Sequence, residues 1–322
     1  MRKLPALILA AGLLVLLAAC SPPVSNLAHC NTVFPSGENS NSVKVSGDLG
    51  EAPTVDFPTP LVATSGELTV AQAGDDDSAE IFPGQTVTYM ATMYDPTSGE
   101  VARSTGYEAD SALTSVIGTS AGEGADVLGS LLACTSVGDR VVVTTDLKAM
   151  LGSSYDPETV PNDDETLVLV FDVLAAYLGK ANGWDQLTQA GFPSVVLSPN
   201  GQPGITVPGE DAPKELKIAT LKAGTGATVK DDDKVVLHYT GVGWETGTVF
   251  DSSWSSETGV PVTFSPDQVV NGFAEAIVGA KVGSQVIVLI PPGEEFGYPA
   301  ENSPVGADNT MIFVIDILGI KE

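Results

Sequence analysis

The sequence predicts an α+β protein in which two copies of one domain follow each other, each with an antiparallel β-sheet and one short α-helix. Two observations predict this class. Several motifs occur twice, in the same order and with the same spacing. Each copy also contains a series of strand signals around a single helical segment. The 34 glycines and 22 prolines favour many turns and argue against a helical bundle.

The composition limits both the size and the chemistry of the protein. Its 322 residues suggest two domains and are enough for real hydrophobic cores. With 41 acidic and 14 basic side chains the net charge is −27, so phosphate backbones would repel the chain and we expect no nucleic-acid partner. Two histidines and three cysteines exclude a Cys/His-rich zinc site and leave little for a histidine-dependent triad. We therefore expect no metal and no cofactor.

The first residues have the pattern of a bacterial targeting segment. Arg2 and Lys3 precede the apolar run Leu7–Leu17, which is too short for a normal membrane span. The run ends in the tetrad Leu17-Ala18-Ala19-Cys20, which resembles the bacterial lipobox. The alternative is an ordinary secretory signal with an incidental cysteine.

The lipobox resemblance implies a signal peptide over residues 1–19 and a diacylglyceryl anchor on Cys20. Residues 20–42 are predicted to form a flexible tether, because their first part is rich in Ser, Pro and Asn. The folded part is then expected outside the cell membrane, held at its outer face by lipid without spanning it.

The two remaining cysteines, Cys30 and Cys134, form an even set in an oxidising compartment, which favours a disulfide between them. The alternative is two unpaired buried thiols.

The repeat defines the domain boundaries. Three segments of the first half match three of the second: Thr86–Ser104 with Lys234–Ser252, Val137–Val143 with Val282–Val288, and Thr166–Leu174 with Thr310–Leu318. We predict a first copy over residues 43–180 and a second copy over residues 210–322. Residues 181–209 contain four prolines and read as a semi-rigid linker with one short strand at Ser194–Leu197.

The elements of the second copy follow from local composition. Strands are predicted at Val235–Tyr239, Pro261–Phe264, Gln285–Ile290 and Met311–Leu318, where β-branched and aromatic residues concentrate. Ala274–Val278 is the best helical segment, because it is rich in Ala and is closed by Gly279. His238 is read as a packed strand residue.

Motifs of the second copy resemble the FKBP-type peptidyl-prolyl cis–trans isomerases over nearly its whole length. The matching residues, in order, are Val236–Gly241, Phe250–Ser253, Pro261-x-x-Phe264, Val269-Val270-x-Gly272-Phe273, Val282-Gly283, Ile290–Pro292, Phe296-Gly297 and Thr310-x-x-Phe313-x-x-Asp316-x-Leu318. The resemblance implies a sheet wrapped around one helix, with a shallow apolar cleft between them.

The resemblance also implies the site residues. Catalytic roles fall to Asp251, Tyr239 and Phe250. The substrate-binding residues are Val262, Val269, Val270, Phe273, Phe296, Val305 and Phe313, with Phe273 as the floor. Such an apolar site suits the reaction, because a twisted X–Pro amide loses resonance and is less polar than a planar one. The alternative is that these aromatics are merely core residues of a β domain.

Three positions depart from the family pattern. Phe273 stands where Trp is frequent, Phe296 where Tyr is usual and Val262 where Phe is common. We expect activity to survive these changes and inhibition by macrolides to weaken.

The first copy lacks the predicted site. Its equivalents of Tyr239, Phe250, Asp251, Phe273, Phe296 and Phe313 are Ala91, Ala102, Arg103, Leu128, Leu151 and Leu169. We expect this copy to fold like the second without isomerising proline.

The function predicted from the sequence is peptidyl-prolyl isomerisation that assists the folding of exported proteins, with proline-containing polypeptides as partners. The alternative is a holdase-type chaperone or surface scaffold with vestigial activity.

Overall fold

The computed structural model describes residues 30, 32–75, 78–108, 110–118, 127–159, 165–187, 189–255 and 259–321. The predicted signal peptide and residues 20–29 and 31 of the predicted tether, Cys20 among them, lie outside the described residues. The rest of the predicted tether is folded, because Phe34 packs in the first core and Glu38–Ser42 forms a helix. Residues 31–322 form one compact unit. Among the described residues, no helix is long and apolar enough to cross a membrane. Cys30 and Cys134 are both disulfide-bonded.

The described elements up to residue 180 are eight strands and three short α-helices. In chain order they are α1 Glu38–Ser42, β1 Lys44–Ser46, β2 Thr54–Asp56, β3 Glu67–Gln72, β4 Thr86–Tyr94, β5 Val101–Ser104, β6 Leu113–Val116, α2 Val127–Ser130, β7 Arg140–Asp146, α3 Leu147–Leu151 and β8 Thr166–Tyr177. α3 begins where Asp146 accepts a 2.7 Å hydrogen bond from the Ala149 N–H, which caps its first turn.

The elements after residue 180 are again mostly strands. They are β9 Trp184–Asp185, β10 Ser194–Leu197, β11 Pro203–Thr206, β12 Lys217–Ala223, β13 Lys234–Gly243, β14 Val249–Ser252, β15 Val262–Phe264, α4 Asn271–Ile277, β16 Gln285–Ile290 and β17 Met311–Lys321. Short 3-10 turns follow β14, precede α4 and lie at Ala300–Asn302.

The two main sheets share one strand order. The first runs β3-β7-β8-β4-β5 with β6 also paired to β4, and the second runs β9-β12-β16-β17-β13-β14 with β15 also paired to β13. All pairings are antiparallel, and the shift at Thr88/Tyr89 between β4 and β8 recurs at Val236/Leu237 between β13 and β17. The predicted α+β class, with antiparallel sheets and few short helices, is confirmed.

Each main sheet is apolar on both faces. One face of each packs against its helices and loops around Phe171 or Ile315. The opposite face is covered by a two-stranded hairpin, β1–β2 on the first sheet and β10–β11 on the second. Burial of both faces explains why the central strands are almost continuously apolar.

Described residues of the segment 181–209, predicted as a linker, pair with the second sheet or pack on it. β9 extends that sheet at the edge of β12, and the strand at Ser194–Leu197 pairs with Pro203–Thr206. Val195 and Ile205 of this hairpin pack on the second sheet. The Ala181 N–H donates a 2.8 Å hydrogen bond to buried Asp316. The segment is therefore held along much of its length.

Candidate active site

Four aromatic rings meet on the helix-covered face of the second sheet. Tyr239 lies on β13, Phe250 on β14, Phe273 on α4 and Phe313 on β17. Ring centroids are 5.2 Å apart for Phe273 and Phe313 and 5.5 Å apart for Phe250 and Phe313. Tyr239 lies 6.0 Å from both Phe273 and Phe313. Most of these contacts are edge-to-face, a favourable arrangement for aromatic pairs. We call these four residues the ring cluster.

The absence of a side chain at Gly241 allows two of the rings to pack against the strand. A Cβ atom at this position would lie 2.7 Å from the ring of Phe250 and 2.9 Å from that of Phe313. The pairing of β13 with β14 also shifts between Gly241 and Val242. Such an irregularity re-aims the strand that carries it. The motif glycine after Tyr239 is thus required by close packing.

The helix α4 sets the depth of Phe273. The Phe273 N–H donates a 2.9 Å bond to the Val270 carbonyl, and the preceding Gly272 N–H donates a 2.8 Å bond to the Phe296 carbonyl. A Cβ at Gly272 would approach Ile290 to 2.9 Å, so the helix lies close to β16. Phe273 is buried, as a floor residue should be.

One polar pair borders the ring cluster. The Tyr239 hydroxyl donates a 2.5 Å hydrogen bond to Oδ2 of Asp251, which is exposed. Burial of the phenol, and then its bond to Asp251, raise the pKa of Tyr239 above its ordinary value. Tyr239 therefore keeps its proton and Asp251 acts as the acceptor. This pair can orient a dipole without transferring a proton.

The remaining predicted substrate-binding residues lie around the same cluster. Partly buried side chains pack on the apolar core that contains Tyr239, Phe273 and Phe313; among them are Phe250, Val262, Val269, Val270, Phe296 and Val305. Asp251 joins them through its bond to Tyr239. The structure thus places nine of the ten predicted residues in or against one core, with Asp251 bonded to Tyr239 of that core.

Two neighbouring aromatic residues were missing from the sequence prediction. The ring of Phe264 lies 6.0 Å from Tyr239 and 6.3 Å from Phe273. Its place in the Pro261-x-x-Phe264 motif was the available signal. Tyr298 is exposed and interacts electrostatically with Tyr239. It lies two residues after Phe296.

Within the described part of the first copy, the equivalent region has no comparable set of rings. Ala91, Leu128 and Leu169 stand at the positions of Tyr239, Phe273 and Phe313 and pack in or against the first core. Arg103, at the position of Asp251, is exposed on β5. Among the described residues of this core, the rings of Tyr89 and Phe171 lie 5.8 Å apart, away from these positions.

No group of three or more metal-binding side chains occurs within the part of the chain that the structure describes. A separate groove at the edge of β12 is lined by Gln186, Leu187 and Ile218, among others, and shares no residue with the ring cluster.

An apolar, ring-lined site between a short helix and an antiparallel sheet is the architecture of a peptidyl-prolyl isomerase domain. The sequence model for "FKBP-type peptidyl-prolyl cis-trans isomerase" matches residues 226–318. The "Probable FK506-binding protein" of Corynebacterium glutamicum is 35% identical over 117 residues, which cover 36% of this chain and 97% of that protein.

Two longer relatives match over a smaller share of their length. The "Outer membrane protein MIP" of Legionella longbeachae is 36% identical over 127 residues, 39% of this chain and 52% of that protein. The crystal structure of FkpA from Escherichia coli is 27% identical, with 42% of this chain and 53% of that one covered and a TM-score of 0.31. The chain thus spans about half of each.

The chain belongs to the FKBP-type peptidyl-prolyl cis–trans isomerase family.

Proposed function

We propose that the second copy catalyses cis–trans isomerisation of X–Pro bonds in exported polypeptides, and that the ring cluster with Asp251 is its active site. The observation that carries the proposal is the convergence of four rings from β13, β14, α4 and β17 beside one carboxylate.

The chemistry needs no nucleophile. Rotation about the prolyl amide has a barrier of about 18–20 kcal/mol because resonance is lost in the twisted state. That state is less polar than the planar amide, so an apolar surface stabilises it relative to the ground state. In this mechanism Phe273 supports the prolyl ring, Phe250 and Phe313 form its walls, and Asp251 faces the carbonyl region while bonded to Tyr239.

The first copy is proposed to have a different role. Its six equivalent positions hold Ala, Leu or Arg, so neither the walls nor the acceptor of the site are supplied. A non-catalytic copy on the same scaffold can bind clients, set spacing or stabilise the second copy. This observation favours the second candidate function, a holdase in which the first copy holds unfolded chains.

The test of catalysis uses the chain from Ser21 to Glu322 and a short X–Pro peptide whose exchange is followed by NMR. The wild type is expected to accelerate exchange, and Phe250→Ala to lower kcat/KM by about tenfold or more. Val101→Ala is the control, since Val101 is exposed on β5, the counterpart of β14. A wild-type chain without activity overturns the proposal. Suppression of client aggregation without any catalysis would support the holdase instead.

We further propose that the protein is anchored at the outer face of the cell membrane through lipid on Cys20. The support is the lipobox-like tetrad after a short apolar run. Labelling cells with a lipid precursor should mark the wild type and leave Cys20→Ser unlabelled, whereas equal labelling contradicts the anchor. Macrolides are candidate ligands of the same ring cluster, and competition of a macrolide with the X–Pro peptide tests this.

A further inference from the structure

A buried polar unit lies directly behind the pair Tyr239–Asp251. The Tyr239 backbone N–H donates a 2.9 Å hydrogen bond to Oγ of Ser253, two residues after Asp251. Nδ1 of His238 lies 2.9 Å from the same oxygen. His238 and Ser253 are 2% and 6% exposed. Ser253 therefore fastens the end of β14 onto β13 at the residue that binds Asp251.

Trp254 covers this unit from outside. Its indole stacks on the imidazole of His238, with centroids 3.9 Å apart and the planes inclined by 22°. Burial lowers the pKa of His238 to about 4, so the imidazole is neutral at ordinary pH. A neutral ring stacks without the desolvation cost of a buried charge. The position of His238 is thus set by Ser253 on one side and Trp254 on the other.

Trp254 also lies close to the turn between β10 and β11. A Cβ atom at Gly201 would lie 3.1 Å from the indole Cη2, so a side chain at this position of the turn would crowd the ring. The turn is closed by a 2.9 Å bond from the Gly201 N–H to the Ser198 carbonyl. Lys180 Nζ donates a 2.6 Å bond to the Pro199 carbonyl, which ties the turn to the chain that leaves the first sheet.

The first copy lacks both members of the stacked pair His238–Trp254. Thr105, the counterpart of Ser253, also accepts a bond from the backbone N–H of Ala91, at 3.2 Å. The counterparts of His238 and Trp254, however, are Met90 and Gly106. The strand fastening is therefore common to both copies, whereas the stacked pair occurs in the copy that has the ring cluster. A requirement of the fold alone would be expected in both.

We propose that Trp254 is a positioning residue for the isomerase site: it transmits the packing of the Ser198–Gln202 turn, through His238 and Ser253, to the Tyr239–Asp251 pair. The segment that enters the second copy thereby sets the geometry of the site. The inference rests on the proposed function of the ring cluster. A small displacement of the groups in an active site lowers the rate of the reaction step more than it weakens substrate binding. We therefore expect a change at Trp254 to act mainly on kcat.

The test compares three variants of the chain from Ser21 to Glu322 with the wild type. Trp254→Ala is expected to lower kcat/KM by about fivefold, with most of the loss in kcat, and Trp254→Phe to restore activity to within about twofold. Trp184→Ala is the matched control, because Trp184 is 64% exposed on β9 and is expected to leave activity unchanged. Urea unfolding measured in parallel shows which variants are folded during the assay.

A second measurement tests the proposed relay, from the turn through Trp254, His238 and Ser253 to Tyr239, without depending on enzymatic activity. The amide proton of Tyr239, bonded to Ser253, is expected to shift in NMR spectra of Trp254→Ala and to stay in place in Trp184→Ala. If Trp254→Ala does not fold, Lys180→Met releases only the turn and is expected to give a smaller shift with about a twofold loss of kcat/KM.

Three outcomes would decide against the relay. They are a folded Trp254→Ala with wild-type kcat/KM, a Trp254→Phe as impaired as the alanine variant, and an unmoved Tyr239 amide. An inactive wild type overturns the proposed function instead, and the amide shift then still decides whether Trp254 positions Tyr239.

Discussion

The Tyr239 hydroxyl holds one oxygen of Asp251 at 2.5 Å, across the β13–β14 pair. A buried phenol thus fixes an exposed carboxylate in one orientation at the border of the ring cluster. Since the pKa of Tyr239 is raised, the phenol keeps its proton and remains the donor of this bond at neutral pH. Because the ring of Tyr239 also contacts the floor residue Phe273, the pair links the floor of the site to Asp251 at its polar border.

Tyr239→Phe removes this bond and leaves the ring. A hydrogen bond to a charged group contributes about 1.5–3 kcal/mol, so kcat/KM is expected to fall by about tenfold if the bond orients Asp251 during the reaction. NMR exchange of an X–Pro peptide measures the change. Tyr107→Phe is the control, because the Tyr107 hydroxyl contacts Thr92 in the first copy at 2.9 Å. If Tyr239→Phe and Tyr107→Phe were equally active, the orientation of Asp251 by the Tyr239 hydroxyl would have no part in the mechanism.

The counterpart positions of the two sheets carry different buried polar pairs. Arg140 on β7 and Asp172 on β8 form an ion pair at 2.6 Å, with both side chains almost fully buried. The guanidinium also donates to the carbonyls of Gly47, Asp48 and Glu51. In the second sheet the same register holds Gln285 and Asp316, at 2.7 Å.

Arg140→Met leaves Asp172 buried without its countercharge. Breaking a buried pair in this way costs about 3–5 kcal/mol of unfolding free energy. Arg140→Gln copies the second sheet and is expected to cost less. Urea unfolding measures both, with the exposed Arg103→Met as control at below about 0.5 kcal/mol. A loss in Arg140→Met no larger than that of the control would contradict this account of the pair.

The β-branched and aromatic residues of the sequence predicted the central strands. The ten proposed site residues followed from the family resemblance, and the structure brings them to one core or bonds them to it. The sequence did not predict that hairpins cover the outer faces of both sheets. The signal was present in Gln285–Ile290 and Met311–Leu318, where apolar residues do not alternate with polar ones. Such runs indicate strands buried on both faces. The second hairpin was not predicted because residues 181–209 are rich in proline and were interpreted as a linker.

Phe57 tests whether the first hairpin belongs to the fold. It is 8% exposed, packs among Val142, Val168 and Val170, and lies edge-on to Tyr94 at 6.5 Å. Phe57→Ala is expected to lower the free energy of unfolding by about 3 kcal/mol, the low end for a buried Phe. Val62→Ala is the control, because Val62 is 65% exposed. A change equal to that of the control would mean that the hairpin is a loose appendage.

His238 gives the protein a stability that depends on pH with a defined sign. Its pKa is lowered to about 4 by burial, against 6.5 for the free side chain. Between these values the unfolded chain binds a proton that the folded chain does not, so stability is lost as the pH falls from 6.5 to 4. The contribution of this one group is about 3 kcal/mol over the whole window.

The measurement is the free energy of urea unfolding at a series of pH values from 7 to 4. Asp316, the cross-strand partner of His238, has a pKa raised by burial, so its protonation stabilises the folded state and opposes the trend. That contribution is common to wild type and variant and cancels in their difference. His238→Asn is expected to lose less stability between pH 6.5 and 4 than the wild type. Parallel curves for wild type and His238→Asn would show that the imidazole binds its proton equally well in the folded and the unfolded chain, which would contradict its burial beneath Trp254.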